Sequence, residues 1–168
     1  MKNLGTFLVI SMVMLSFGMQ RAKAQDDEDA IRVLEQHWQN AFKAKDAPGI
    51  MKFYEPGAKL VVFDVVPPRQ YIGYEAYQKD WQDLFAMFDG PVTFQMSDLD
   101  IITNGSDLAY SHSIQHVAGK LKEGGNLNLT VRVTDVYRKT GGKWMIAHEH
   151  VSVPVDIKTG KADLQSKP

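Results

Sequence analysis

Cysteine is absent from all 168 residues. That absence excludes disulfides, thiolate nucleophiles, Cys-ligated zinc, iron–sulfur clusters and lipid attachment at cysteine. Basic charge is also thin. Of 19 Lys and Arg against 20 Asp and Glu, three (Lys2, Arg21 and Lys23) fall in the first 24 residues, which hold no acid. The remaining 144 residues carry 16 basic and 20 acidic side chains, a net of −4. Without clustered Lys and Arg to neutralise phosphates, no nucleic-acid partner is expected. The 13 Gly and 7 Pro are too few for a collagen-like or low-complexity chain, and 44% hydrophobic residues are too many for disorder. No glycine-rich phosphate loop, G-x-S-x-G elbow, H-E-x-x-H pair or EF-hand loop occurs. The length suits one domain with a core large enough to stand without staples.

What is present begins with a leader. Met1-Lys2 is a short positive segment, and Leu4 to Met19 spans 16 residues, eleven of them large and apolar. Ala22-Lys23-Ala24 follows as an A-x-A site. This order predicts a signal peptide over residues 1–24, cleaved near Ala24, and a secreted or periplasmic protein with no membrane contact after cleavage. The alternative, an uncleaved anchor, fits poorly with the acidic run Asp26-Asp27-Glu28-Asp29.

From residue 25 the pattern predicts a domain to residue 155 and a polar, loose tail over 156–168. Ile31, Leu34, Trp38, Ala41 and Phe42 recur at helical spacing. Asp46 caps a second, short helix with Pro48 near its start and Ile50, Phe53 and Tyr54 inward. Lys59 to Phe63 is β-rich, and a third helix runs from Tyr74 to Phe88 with Trp81, Leu84, Phe85 and Phe88 as its buried stripe. Four strands follow, Val92–Ile102, Asp107–Ala118, Leu127–Arg138 and Lys143–Val155, separated by turns at Asn104-Gly105, Glu123–Asn126 and Gly141-Gly142. The order implies an α+β layer fold: helices on one face of a curved antiparallel sheet, with room for a cavity between them.

Four of the five histidines fall inside predicted strands. Alternation places Tyr110, His112, Ile114 and His116 on one face, and Trp144, Ile146, His148, His150 and Ser152 on another. Imidazoles beside Trp and Ile read either as satisfied core or interface groups, or as ligand-binding side chains. His148 and His150 at i and i+2 could also share a metal ion, but a lone H-x-H lacks a defined third ligand, so neither a metal nor a cofactor is predicted. Asp64, ending the apolar strand Leu60–Phe63 ahead of Val65, Val66 and two prolines, is the candidate catalytic acid or base; the plain alternative is a turn-initiating Asp. Tyr71 supplies a phenol nearby. Arg132, in a strand of Leu, Thr and Val, either faces solvent or meets an acid or anion. A two-residue Gly141-Gly142 loop pairs even positions with odd ones, whereas the preferred odd-numbered loop of three or more residues places Arg132 and Thr134 with His148 and His150.

The segments Phe63-Asp64-Val65-Val66-Pro67-Pro68, Tyr71-Ile72-Gly73, the helix around Trp81, Asp107–His112 and Gly142–Pro154 together resemble the SnoaL-like, ketosteroid-isomerase-like branch of the nuclear-transport-factor-like superfamily. The resemblance spans about residues 28–155. It implies a cone-like curved antiparallel sheet with three N-terminal helices on its concave side, a homodimer, and a pocket for a small hydrophobic or amphipathic organic molecule. By that resemblance Asp64 lies where the isomerases place their general base. Ligand-binding positions are then Trp38, Tyr71, His112, His116, Arg132, His148 and His150. The first helix offers His37 and Trp38 but no tyrosine at the isomerases' oxyanion-donor position, and Asp135 is the nearest candidate for their second acid. The implied function is therefore broad: proton transfer of isomerase, dehydratase or hydrolase type, with a non-catalytic dimeric binding or assembly module, or less directly a His-ligated metal protein, as alternatives.

Overall fold

The computed structural model describes residues 4–166, with side chains from Lys23 onward. Met1–Asn3 and the side chains of residues 4–22 lie outside the described residues, as do Lys167 and Pro168, and with them falls most of the segment expected to be a signal peptide. Three helices, α1 (Leu4–Lys43), α2 (Ala47–Met51) and α3 (Tyr74–Met87), are combined with β1 (Val61–Phe63), β2 (Tyr71–Ile72), β3 (Phe88–Asn104), β4 (Leu108–Leu121), β5 (Asn126–Thr140) and β6 (Lys143–Ser152). Among the described residues no helix is long and apolar enough to cross a membrane.

Local chemistry explains the helices. In α1, Ile31, Leu34, Glu35, Trp38 and Phe42 are buried at helical spacing, so an acid occupies the apolar stripe. The Asp46 side chain accepts from the Gly49 amide at 2.9 Å and caps α2. A Cβ at Gly49 would lie 2.2 Å from Asp46 Oδ2, so this cap needs glycine. The stripe of α3 is Tyr77, Trp81 and Phe85. With Trp38, Phe42 and Phe94 of β3, the last two rings form an aromatic core with centroid separations from 4.6 to 5.8 Å.

The strands form one sheet in the order β2-β1-β6-β5-β4-β3. The expected meander β3–β6 is antiparallel throughout, but β1 joins β6 in parallel. The helices pack on one face, as expected. The cone-like curvature is not found. The sheet is mixed and open, neither closed nor strongly curled. Its edges β2 and β3 sit at opposite ends, and the two-residue β2, hemmed between Pro67-Pro68 and the start of α3, offers no length to carry curvature round to β3.

Two register shifts decide which side chains face the helices. A shift between Ser97 and Asp100 in β3, with Asp98 at φ 53°, keeps Met96 and Leu99 both against the core. In β6, Tyr137 pairs with Ile146 but Val136 pairs with His148, so Ala147 is an extra residue and the alternation inverts there. The tail is not loose. Asp156 N donates to Lys161 O at 2.9 Å and Asp163 N to Pro154 O at 2.8 Å, closing a hairpin. The Leu164 carbonyl accepts from Thr130 N at 2.8 Å, where β6 has already ended and leaves that part of β5 without a neighbour.

Candidate functional site

The bulge at Ala147 corrects the face assigned to the histidines. Trp144 and Ile146 point inward, whereas His148 and His150 point outward and Glu149 takes the inner position. The histidines of β4 point outward too. His112 lies 3.5 Å from the Asp100 carboxylate, with 59% of its side chain exposed, and His116 bonds Asn128 Oδ1 at 2.8 Å. Arg132 and Thr134 do share a face with His148 and His150, pairing with Ser152 and His150. The cause differs from the one expected: the Gly141-Gly142 loop is two residues long, and the odd residue is the bulge. His148 Nδ1 meets the Val61 carbonyl at 2.7 Å, and the Phe63 ring stands edge-on to both imidazoles at 5.1 and 5.6 Å.

Apart from Asp135, the candidate second acid, the inner face holds groups that the sequence did not single out. Ser111, Asp135 and Glu149 are directly opposite one another across β4, β5 and β6, and Ser113 and Gln115 continue the polar row. All five are buried. A sheet face packed only for stability carries apolar groups here, since buried polar atoms need partners. Gln115 Nε2 donates to Ser113 Oγ at 3.4 Å, while Glu149, Ser111 and the buried Glu35 of α1 find partners in three tyrosines. Tyr54 donates to Glu149 Oε2 at 2.6 Å and Tyr77 donates to Glu149 Oε1. Tyr137 donates to Glu35 Oε1 at 2.7 Å and bonds Ser111 Oγ at 2.8 Å. Trp38 enters as a support: its indole N–H reaches the Tyr54 oxygen at 3.2 Å.

Three carboxyls this deep cannot all be ionised. Burial pushes Glu149 up to about 7 against the donation of Tyr54 and Tyr77. Burial likewise raises Glu35 to about 7, opposed by Tyr137 and reinforced by the Glu149 charge. Asp135 is raised well above the ordinary carboxylate range by burial and then by Glu149 and Glu35, and as the protonated partner it donates to Glu149. Its Oδ1 is buried without a hydrogen-bond partner among the described residues.

Asp64 stands at the more open end of this array. Val62 pairs with Glu149, so two residues on Asp64 shares the inner side of β1. The Val65 and Val66 amides donate to its Oδ1, the latter at 3.3 Å. Burial, then the charge of Asp80, lifts its carboxyl to about 6 despite those amides and the Tyr77 hydroxyl. The Tyr77 phenol therefore stands between Asp64 and the Glu149–Asp135 pair. Tyr71 donates to Asp80 Oδ1 at 2.6 Å, with the Pro67 carbonyl at 3.1 Å, and burial and Asp80 raise its hydroxyl above the usual value. Chemically this is a donor and an acceptor held close to neutrality on one face, joined by a phenol. Among the described residues no group of three or more His, Asp or Glu is placed to hold a metal.

Two signals for this array were present in the sequence. Glu35 occupies the apolar stripe of α1, four residues after Ile31, and Tyr77 precedes Trp81 by four in α3. Glu149 gave none, because its inward position depends on the bulge. A cavity of about 600 Å³ opens elsewhere, between α1, the end of α2 and the β5–β6 hairpin, and neither Asp64 nor Glu149 lines it.

The SnoaL-like domain signature matches residues 31–156. An NTF2-like protein of unknown function from Pseudomonas putida KT2440 is 32% identical, with a TM-score of 0.76 over 86% of this chain and 98% of that one. A ketosteroid isomerase-like protein from Erwinia carotovora atroseptica SCRI1043 is 17% identical, with a TM-score of 0.63 over 74% of this chain and 93% of that one. An NTF-2 like protein of unknown function from Shewanella oneidensis MR-1 is 18% identical, with a TM-score of 0.60 over 75% of this chain and 98% of that one. The last two likenesses are of fold alone. No curated protein matches the chain.

Proposed function

The chain belongs to the SnoaL-like family, and from that premise we propose that it takes a small hydrophobic or amphipathic organic molecule and moves a proton on it, with Asp64 as general base. The observation that carries this reading is a half-open carboxyl lifted to about 6, one phenol away from buried acids that share protons near neutrality. A base poised at that value is ionised at neutral pH yet still basic enough to accept a proton. Isomerisation, dehydration and hydrolysis all use such a base.

The test begins with native mass spectrometry of gently purified protein, to identify a co-purifying compound, followed by turnover assays on it. Asp64→Asn is expected to retain the compound and lower turnover by roughly 10²–10⁴. A carbon-detected NMR titration gives an independent reading, with the Asp64 carboxyl expected near the value above. Unchanged turnover in Asp64→Asn, or an ordinary carboxyl pKa of about 4, counts against the proposal.

Two further readings are part of it. The outer sheet face exposes Phe63, Ile72 and Tyr110 beside Arg132 and the four strand histidines, and we assign it to a homodimer contact, checked by light scattering across a dilution series. Residues 1–24 are assigned to a cleaved leader, which places the protein in the periplasm or medium. N-terminal sequencing of exported material should start at Gln25, and an intact Met1 refutes it.

A further inference from the structure

The cavity between α1, α2 and the β5–β6 hairpin has features that proton transfer at Asp64 does not use. Its volume of about 600 Å³ lies within the range of small-molecule sites. Its walls are Val33 of α1, Phe53 just past α2, and Trp144 and Met145 of β6. Val33 is 52% exposed although the apolar side of α1 is buried, so it faces this space rather than the core. Phe53 is held there by the backbone: its carbonyl accepts from Ile146 N at 2.7 Å, and Glu55 N donates back to Ile146 O at 2.8 Å. The wall is therefore built on paired backbone, not on a wandering loop.

The rim is cationic. Lys52, Lys139 and Lys143 line the cavity, with Asp26 and Asp27 as its acids and His37 beside them. Lys139 is already committed: its Nζ lies 2.5 Å from Asp27 Oδ1 and 5.3 Å from the Trp144 ring centroid. Trp144 Nε1 donates to the same Asp27 oxygen at 3.1 Å, which fixes the indole as a wall. Lys52 and Lys143 make no ion pair among the described residues, and Asp26 alone opposes them. This local excess of positive charge stands against a net of −4 over the 144 residues that follow the leader.

We propose that this cavity is a second binding site, for an organic monoanion: an aromatic or alkyl body against Val33, Phe53, Trp144 and Met145, with its carboxylate or sulfonate head at Lys52 and Lys143. Apolar burial supplies most of the affinity, and the two partly solvated ammonium groups select the sign of the charge.

The probe is anilinonaphthalene sulfonate, titrated into the full chain and followed by dye fluorescence, with uncharged phenylnaphthylamine as comparator. Saturable binding of the sulfonate is expected, weakened about tenfold by the double variant Lys52→Ala/Lys143→Ala, the combined worth of two partly exposed ion pairs. Phenylnaphthylamine should bind that variant as well as it binds the parent. Val33→Asp, on an exposed position that leaves the core untouched, should weaken both dyes. Absence of saturable sulfonate binding overturns the proposal, as does sulfonate affinity indifferent to both variants. Equal loss of the two dyes in the lysine variant also overturns it, because the lysines then select no charge.

Discussion

Replacing Asp64 by Asn should stabilise the protein at alkaline pH and leave it unchanged in acid. The folded-state value of Asp64 is raised from 3.8 to about 6. Between those values the folded chain holds a proton that the unfolded chain has released, so stability falls as pH rises through this window and levels off above it. The shift is about two units, each worth about 1.4 kcal/mol, and residual solvent contact trims the total to about 2 kcal/mol. Asn keeps an oxygen for the Val65 and Val66 amides and carries no charge against Asp80 or the apolar surroundings. Urea unfolding of parent and variant at pH 4 and pH 8 measures the effect. The expected result is coincident midpoints in acid and a higher midpoint for Asn at pH 8. A difference of equal size at both pH values, or a less stable variant at pH 8, refutes the reasoning that the Asp64 carboxylate is held in a costly setting. Loss of turnover together with gained stability is the trade expected of a group kept for chemistry.

The parent itself should lose stability from pH 5 to pH 8, because Glu35 and Glu149 rise from 4.5 to about 7 on folding; their contribution is complete below the lower value and is lost as pH passes the upper one. A urea midpoint that climbs over that range contradicts the burial of these two carboxyls. Tyr137→Phe removes the donor to Glu35 and the link to Ser111, and should cost about 1–3 kcal/mol in chemical denaturation by leaving a buried acceptor unsatisfied. Gly119→Ala would set a Cβ 2.7 Å from the Phe88 ring, and should lower the melting temperature by an amount equivalent to about 1–3 kcal/mol. An unchanged melting curve shows that Phe88 yields freely.

The element order was legible because it rests on local chemistry. The stripe of α1, the Asp46 cap with Pro48 inside α2, the Asn104-Gly105 turn and the four alternating strands of the meander are each set by residues within a few positions of one another. β2 was not legible: its two residues, Tyr71 and Ile72, acquire strand geometry only by pairing with Val62 and Val61. Openness of the sheet was equally hidden, since it depends on which strands become edges. The tail looked loose because its polarity is local, whereas its tether, Thr130 N to the Leu164 carbonyl, spans distant residues.

For the site the division falls at Ala147. The sequence determined that β6 alternates, that Asp64 ends an apolar strand, and that an acid lies in the stripe of α1. It could not determine which half of His148-Glu149-His150 faces the helices, because one unpaired residue inverts every side chain beyond it. That residue is chosen by pairing with β5, where the tight Gly141-Gly142 turn sets one register for Trp144 and Ile146 and the approach of Glu149 to Tyr54 and Tyr77 sets the other. Tertiary structure alone turned the histidines to the outer face and gathered Glu35, Asp135 and Glu149 on the inner one, because a carboxyl's burial and proton sharing are properties of its neighbours across strands rather than along the chain.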